Sequence, residues 1–92
     1  MDSVFEWDED KARKNLRKHK ISFEEAVTIF HDPLVATIPD PDHSDEEERF
    51  IAIGYSNKNR LLVVGFTERG HKTRIINCRK AEPPERKTYE EI

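Results

Sequence analysis

The segment RFIAIGYSNKNRLLVVGFTERGHKTRIINCR, residues 49–79, decides the fold of this 92-residue chain. It contains three apolar runs separated by two polar turns, at residues 56–59 and 68–71, which is the pattern of consecutive antiparallel strands. The middle run, residues 61–67, is apolar without alternation, as in a strand that is buried on both faces. We therefore expect a β-meander in which this run forms the central strand.

A first helix is predicted over residues 8–19, ahead of the meander. Asp8 is a favourable N-cap residue, two acidic residues follow it, and basic residues fill much of the remaining segment, an order that suits the helix dipole. Ala12, Asn15, Leu16 and His19 recur at helical spacing on one face. We expect this face to lie against the core and the basic residues to face solvent.

A second helix is predicted from Ser22 to the Asp32-Pro33 pair. Ser22 followed by Glu25 predicts a capping box, in which the serine accepts from the backbone of Glu25 and the glutamate reaches back to the backbone of Ser22. The apolar residues that follow recur at positions i, i+3, i+4 and i+7 and are Phe23, Ala26, Val27 and Phe30. This stripe favours burial against a sheet.

Three shorter elements complete the predicted fold. Residues 4–7 alternate as a short strand, residues 34–38 have the pattern of an edge strand closed by prolines, and the Pro-Pro pair that starts residues 83–89 favours a last helix. We expect residues 1–92 to form one α+β domain, with an N-terminal strand, two helices packed on an antiparallel β-meander sheet, and a short C-terminal helix.

Charge is unevenly distributed along the chain, although the net charge is only −3. Residues 11–20 carry +6 and residues 69–80 carry +5, each without an acidic residue, whereas residues 40–48 carry −6. Two basic blocks in an acidic chain can form one positive face after folding, and such a local field attracts an anionic ligand. Solvated helix and strand surface is the alternative interpretation of the same blocks.

The composition disfavours several classes of function. Cys78 is the one cysteine, so an internal disulfide and a Cys₂His₂ zinc site are excluded, and a reducing, cytoplasmic setting is expected. The acidic residues 40–48 lack the glycine-turned spacing of a calcium loop. No apolar run reaches the roughly 18 residues of a membrane span. We therefore expect no metal, no cofactor and no membrane contact.

An ordered series of short motifs, spread over nearly the whole chain, resembles the BrnT toxin family. The motifs are FEWD (5–8), NLRKH (15–19), ISFEEA (21–26), DP (32–33), EERF (47–50), GYS (54–56), TERG (67–70), RIINCRKA (74–81) and ERKTYE (85–90). The sequence departs from the family pattern at Lys20, where a glycine is usual after the histidine, and at Asn77-Cys78, which replace a Ser-Ala pair.

The resemblance implies a RelE-like fold and the toxin half of a bacterial type II toxin–antitoxin pair, which cuts RNA and arrests growth. It also implies a cognate antitoxin similar to BrnA, a ribbon-helix-helix DNA-binding protein that neutralises the toxin. We expect a hetero-oligomer containing two toxins, which represses its own operon and reaches operator DNA only through the antitoxin.

Metal-independent RNA cleavage needs a base for the 2′-hydroxyl proton, a cation beside the phosphorane and an acid for the leaving 5′-oxygen. Arg79 is our first choice for the cation, because a guanidinium can hold a phosphate through two parallel hydrogen bonds. An ion pair with Glu82 or Glu85 is the alternative. Arg74 has the same chemistry, but strand alternation places it on the opposite face from Arg79 unless a bulge intervenes.

Four further residues complete the candidate catalytic set: Lys18, His19, Glu68 and Arg69. Lys18 is predicted to contact phosphate, with solvated charge as the alternative. His19 suits proton transfer, with a partly buried structural histidine as the alternative. The turn before the last strand contains or adjoins Glu68, Arg69 and His71, of which Glu68 is the candidate base and His71 the candidate acid. The alternative interpretation is that these residues are polar only because they belong to a turn.

A binding module without catalysis is the second class of function that the sequence allows. In that case the protein docks a partner and reaches DNA only through that partner. The acidic residues 40–48 would then form the docking surface for a basic chain. Partner capture without loss of RNA after induction would favour this second hypothesis.

Overall fold

The computed structural model describes residues 4–43 and 47–91. The strands are β1 (Val4–Glu6), β2 (Ala36–Pro39), β3 (Arg49–Tyr55), β4 (Leu61–Arg69) and β5 (Lys72–Lys80). The α-helices are α1 (Glu9–His19), α2 (Phe23–Thr28) and α3 (Pro83–Glu90), and short 3₁₀ turns lie at Ile29–His31 and Pro41–His43. Within the described ranges, no helix is long and apolar enough to cross a membrane.

The strands form one sheet in the order β1-β5-β4-β3-β2, so the predicted central strand is the middle one. Strands β2 to β5 pair antiparallel in sequence order, whereas β1 pairs parallel with β5. The α+β class and the predicted meander are therefore confirmed. The finer likeness to the RelE-type fold stays a prediction.

The edge strand β2 begins two residues later than the sequence pattern predicts. Leu34 and Val35 belong instead to a turn, in which Asp32 accepts hydrogen bonds from their backbone N–H groups at 2.9 and 3.0 Å. Because this turn takes up both donors, strand pairing starts only at Ala36.

Helices α1 and α2 pack on one face of the sheet and close the main hydrophobic core. Strand β3 alternates as predicted, since Phe50 and Ala52 face the helices while Ile51 and Ile53 face away. The buried residues of this core are Ile21, Phe23, Ala26, Ile29, Ala52, Leu62, Val64, Phe66, Ile75 and Cys78. Burial raises the pKa of the Cys78 thiol to about 12, so this cysteine acts as an unreactive core residue.

Phe30 continues the apolar stripe of α2 beyond the end of that helix. Its ring centroid lies 5.3 Å from that of Phe5 and 5.2 Å from that of Phe66. Because the side chain is half-buried, we expect Phe30→Ala to lower the free energy of unfolding by about 3 kcal/mol, the lower end of the range for such truncations. Urea unfolding measures this change, and an unchanged midpoint would contradict the placement of the stripe.

Helix α1 begins as predicted, because the Asp8 carboxylate accepts from two backbone N–H groups of the first turn. The prediction that Leu16 faces the core is wrong, since this residue is 49% exposed. Asn15, predicted on the same face, is buried: its amide accepts from the backbone N–H of Cys78 (3.0 Å) and donates to the carbonyl of Ile21 (3.1 Å). The helix therefore lies along the edge of β5, where buried backbone groups need polar partners.

Lys20 ends α1 in the left-handed conformation, with φ at 61°. Its backbone N–H donates to the carbonyl of Leu16 at 2.9 Å, which is the hydrogen bond of a helix C-cap. Glycine adopts this conformation without steric cost, whereas a residue with a Cβ is destabilised by about 1 kcal/mol. Lysine in place of the glycine that is usual at this position therefore keeps the turn but adds local backbone strain.

The capping box predicted for α2 is correct in one half only. Ser22 Oγ accepts from the backbone N–H of Glu25 at 3.0 Å, as predicted. The buried Glu25 carboxylate turns instead toward the β3–β4 hairpin, where it accepts from Ser56 Oγ at 2.6 Å and from the guanidinium of Arg60. This network joins α2 to the hairpin.

Helix α3 packs on the other face of the sheet, at the end where Tyr55 lies. Its Tyr89 ring contacts the Tyr55 ring at 5.5 Å between centroids, and the Tyr89 hydroxyl donates to Asp32 Oδ2 at 2.7 Å. That hydrogen bond raises the pKa of Tyr89 to about 12. The last helix is thereby anchored to both the sheet and the turn before β2.

Candidate functional site

A β-bulge decides which basic residues of β5 share a face of the sheet. The register between β4 and β5 shifts at Gly65, and Ile76 is the extra residue on β5. Strict alternation would separate Arg74 from Arg79. Because of the bulge, both arginines lie on the same face of the sheet, opposite α1 and α2. This is the bulge that the sequence pattern requires for the two residues to share a face.

Both arginines are held by glutamates on that face. Arg79 makes a bidentate ion pair with Glu85 of α3, at 2.9 and 2.8 Å, and lies 3.6 Å from Glu82. The hydrogen bond between Arg79 and Glu85 raises the pKa of the arginine and lowers that of the glutamate. Arg74 pairs with Glu6 of β1 at 3.3 Å. The ion-pair alternative for Arg79 is therefore present in the structure.

Two further candidates, Glu68 and Arg69, lie at the far end of the β4–β5 hairpin. The Glu68 carboxylate accepts from Thr73 Oγ1 at 3.2 Å, and Arg69 pairs with Glu47 at 3.2 Å. His71 is exposed in the turn between the strands. The structure thus places this group at the hairpin end.

Lys18 and His19 line a groove between α1 and the edge of β5, which we call the α1–β5 groove. Its volume is about 220 Å³. The residues that line it are Lys11, Lys14, Asn15, Lys18, His19, Ile76 and Asn77. Two of the six predicted site residues are therefore brought together, beside two more lysines from the first basic block.

A smaller cavity, which we call the bulge cavity, lies on the other side of Ile76 and has a volume of about 40 Å³. The residues that line it are Asp40, His43, Arg49, Phe50, Gly65, Phe66, Ile76 and Asn77. His43 Nδ1 lies 2.9 Å from Asp40 Oδ2, so a carboxylate orients this imidazole. Residues 44–46 of the predicted acidic docking segment lie outside the described residues.

Ile76 and Asn77 line both concavities, so the groove and the cavity are neighbours at the bulge. The combined surface runs from the basic side of α1, across the edge of β5, to the start of β3. It contains Lys18 and His19, and Arg74 and Arg79 flank Asn77 along the same strand. Arg74 and Arg79 line neither the groove nor the bulge cavity and lie on the sheet face opposite α1, so the structure does not bring them together with Lys18 and His19.

The lysines of the groove differ electrostatically from the arginines beside it. Within residues 4–43 and 47–91, Lys11, Lys14 and Lys18 have no carboxylate within ion-pair distance. Their spacing of three and four residues places them on one side of the helix. Their positive charges are therefore available to an external anion without the rupture of an internal ion pair.

A larger cavity of about 470 Å³ lies on another part of the molecule. Its lining residues are Thr28, His31, Asp32, Tyr55, Ser56 and Asn57. This lining has no lysine or arginine and includes the Asp32 carboxylate. The cavity therefore suits a polyanion less well than the α1–β5 groove does.

Several residues of this surface are not among the predicted site residues. The helical spacing of Lys11 and Lys14 relative to Lys18 was a readable signal for one cationic stripe. No comparable signal existed for Asn77, because its position depends on a bulge that the strand pattern does not reveal. The sequence gives His43 only as part of the acidic segment and predicts no role for it at the site.

The fold and this surface define a small α+β protein with a lysine-lined groove along one helix and a neighbouring cavity on the sheet. The model of the family described as "Ribonuclease toxin, BrnT, of type II toxin-antitoxin system" matches residues 7–85. The chain therefore belongs to the BrnT family, which confirms the family resemblance of the sequence.

A solved structure supports the same assignment. The chain resembles the ribonuclease toxin BrnT of Brucella abortus, with a TM-score of 0.65 and 25% sequence identity over 88% of this chain and 99% of the Brucella chain. The search of curated proteins gave no match. The shared architecture extends over nearly the whole of both chains.

Proposed function

We propose that this protein is an endoribonuclease that cleaves RNA without a metal ion, by attack of the ribose 2′-hydroxyl on the adjacent phosphodiester. One observation carries the proposal: three lysines that pair with no carboxylate of residues 4–43 and 47–91 line a groove, and Ile76 and Asn77 of that groove also line a cavity with polar residues on the sheet. A single RNA strand requires this combination of a cationic path for phosphates and polar groups for the exposed nucleotide.

In the proposed reaction, a base removes the 2′-hydroxyl proton while the 2′-oxygen bonds to phosphorus. The P–O5′ bond breaks, an acid protonates the leaving oxygen, and the products carry a 2′,3′-cyclic phosphate and a 5′-hydroxyl. Lys18 neutralises phosphate charge in the groove, and the adjacent His19 transfers a proton. Glu68 and Arg69 stay candidates for the second proton-transfer group and a further phosphate contact, although they lie at the hairpin end and line neither the groove nor the bulge cavity, so that role requires the RNA to extend along β5.

Arg79 and Arg74 are proposed to hold the scissile phosphate, with Arg79 as the main contact. Each must exchange its glutamate partner for phosphate, and a guanidinium can form the same paired hydrogen bonds with either group. We expect Arg79→Ala to abolish RNA cleavage and growth arrest. The circular dichroism spectrum should stay unchanged, because this side chain is only half-buried. Persistent growth arrest would remove Arg79 from the site.

The proposed partner is a BrnA-like antitoxin, a ribbon-helix-helix protein that neutralises the toxin in the cytoplasm. A type II system implies a protein antitoxin, and the family assignment supports this part of the proposal. The complex would contain two toxins, and it would bind operator DNA through the antitoxin to repress its own operon. Size-exclusion chromatography with light scattering on the co-expressed pair measures this stoichiometry.

The experiment that tests the nuclease proposal incubates purified protein with RNA in excess EDTA. We expect cleavage to persist and the fragments to carry 2′,3′-cyclic phosphate or 3′-phosphate ends. Cleavage that disappears with the chelator would overturn the metal-independent mechanism. Absence of cleavage in every buffer, with capture of a DNA-binding partner, would favour a non-catalytic binding module.

A further inference from the structure

We propose that Asn77 determines the nucleobase preference of the site by hydrogen-bonding an adenine base held at the bulge. This inference rests on the proposed function, because it assigns a base-reading role on the surface that would bind the RNA strand. It concerns recognition of the substrate and leaves the chemistry of the cleavage step unchanged.

The position of Asn77 is the first reason for this inference. Asn77 is exposed and lines both the α1–β5 groove and the bulge cavity. An RNA strand whose phosphates follow the lysines of α1 must pass this residue to reach the cavity. A base turned toward the sheet at that point therefore meets the Asn77 amide.

The packing of Asn77 against Gly65 is the second reason. A Cβ at residue 65 would lie 2.7 Å from Oδ1, 3.2 Å from Cγ and 3.3 Å from Nδ2 of Asn77. The amide therefore occupies the space that a Cβ at residue 65 would take. Only the absence of a side chain at residue 65 permits this approach.

The unsatisfied hydrogen-bonding capacity of Asn77 is the third reason. Within the described residues, the side-chain amide of Asn77 makes no hydrogen bond, although it presents a donor beside an acceptor. This pair complements the amino group and ring nitrogen of adenine, the base that asparagine and glutamine recognise through two hydrogen bonds. In a single strand these base edges are accessible.

The size and lining of the bulge cavity support an exocyclic amino group as the occupant. A volume of about 40 Å³ is close to the space of one water molecule, so the cavity admits the edge of a base and excludes a whole nucleotide. The Asp40 carboxylate, which already accepts from the backbone of Asp42 and lies beside His43, makes the lining electronegative. The exocyclic amino group of adenine carries partial positive charge that suits this lining, whereas the O4 keto oxygen that uracil has at the corresponding position is an acceptor and would be repelled by the carboxylate.

The test measures binding of 2′-O-methyl dodecamers of adenosine and of uridine, which cannot be cleaved, by fluorescence anisotropy in EDTA. We expect wild-type protein to bind the adenosine dodecamer at least about fivefold more tightly, as one two-hydrogen-bond contact allows. Asn77→Ala should remove this preference while it leaves uridine binding within about twofold of wild type. Asn57→Ala, at the exposed hairpin turn, is the matched control and should keep the full preference.

Gly65→Ala provides a second route to the same result, because the added Cβ displaces the Asn77 amide without a change at residue 77. We expect this variant to lose the adenosine preference as well. A wild-type protein without adenosine preference, or a preference that survives in Asn77→Ala, would overturn the inference. Cleavage of unmodified RNA, assayed separately, would still decide the nuclease proposal, so the two failures are distinguishable.

Discussion

Replacing Lys14 and Lys18 together with glutamine is expected to reduce RNA cleavage at subsaturating substrate by about 10- to 100-fold. Each lysine that contacts a phosphate of single-stranded RNA adds roughly 0.7 to the slope of log affinity against log salt concentration. The double variant should therefore lower that slope by about 1.4. Initial cleavage rates and filter binding over a salt series measure both effects.

The matched control for this variant is Lys58→Gln with Lys87→Gln, which removes the same charge from residues outside the groove. We expect this control to retain nearly wild-type cleavage and the wild-type salt slope. If both double variants lose activity equally, only net charge matters, and the α1–β5 groove has no special part in RNA binding.

Replacing Glu25 with alanine is expected to lower the free energy of unfolding by about 3–5 kcal/mol. The Glu25 carboxylate is buried, with a side-chain exposure of 2%, and it receives hydrogen bonds from Arg60 and Ser56. Its removal leaves the partly buried guanidinium and the serine hydroxyl without their acceptor. A protein of this size has a total stability of only about 5–14 kcal/mol, so much of the variant could be unfolded at growth temperature.

Urea unfolding measures the loss, and Glu24→Ala is its matched control, since Glu24 is an exposed neighbour on the same helix. We expect the control to stay within about 0.5 kcal/mol of wild type. Equal stability of Glu25→Ala and Glu24→Ala would show that the buried ion pair makes no net contribution.

The same network predicts how stability depends on pH. The hydrogen bond from Arg60 holds the folded-state pKa of Glu25 below the ordinary glutamate value of 4.5. A carboxyl whose pKa is lowered by folding stabilises the protein fully above that ordinary value, and its contribution is lost as the pH falls through the folded-state pKa. We expect wild-type stability to decrease below about pH 4.5 and Glu25→Gln to show a shallower decrease.

Much of the fold is predictable because its signals are local. The alternation in β3, the unbroken apolar run in β4 and the Asp8 cap each act within a few residues, and all three match the structure. Helical spacing predicts Asn15 and Leu16 on one inward face, but it cannot show that the buried side of α1 faces the polar edge of a strand, so the prediction is correct for Asn15 and wrong for Leu16. Asn15 fills that position, where its amide satisfies backbone groups that leucine could not.

The candidate site was less predictable because it depends on contacts between distant segments. The pairing of Arg79 with Glu85 was foreseen as an alternative, since the two residues lie close in sequence. The sequence allows a bulge in β5 only as a condition without a position, because it does not specify which residue is left unpaired; the structure places the bulge at Ile76. The meeting of the groove and the cavity at Asn77 follows from that bulge and from α1 packing against β5, neither of which is encoded locally.

The most direct test of the central claim is an NMR titration of ¹⁵N-labelled protein with a 2′-O-methyl RNA dodecamer. We expect the largest amide shift changes in residues 11–19 and at Ile76 and Asn77, which would place the RNA strand across the α1–β5 groove. Shift changes centred on Thr28 and Asn57, or no changes at a saturating concentration, would contradict RNA binding at this surface.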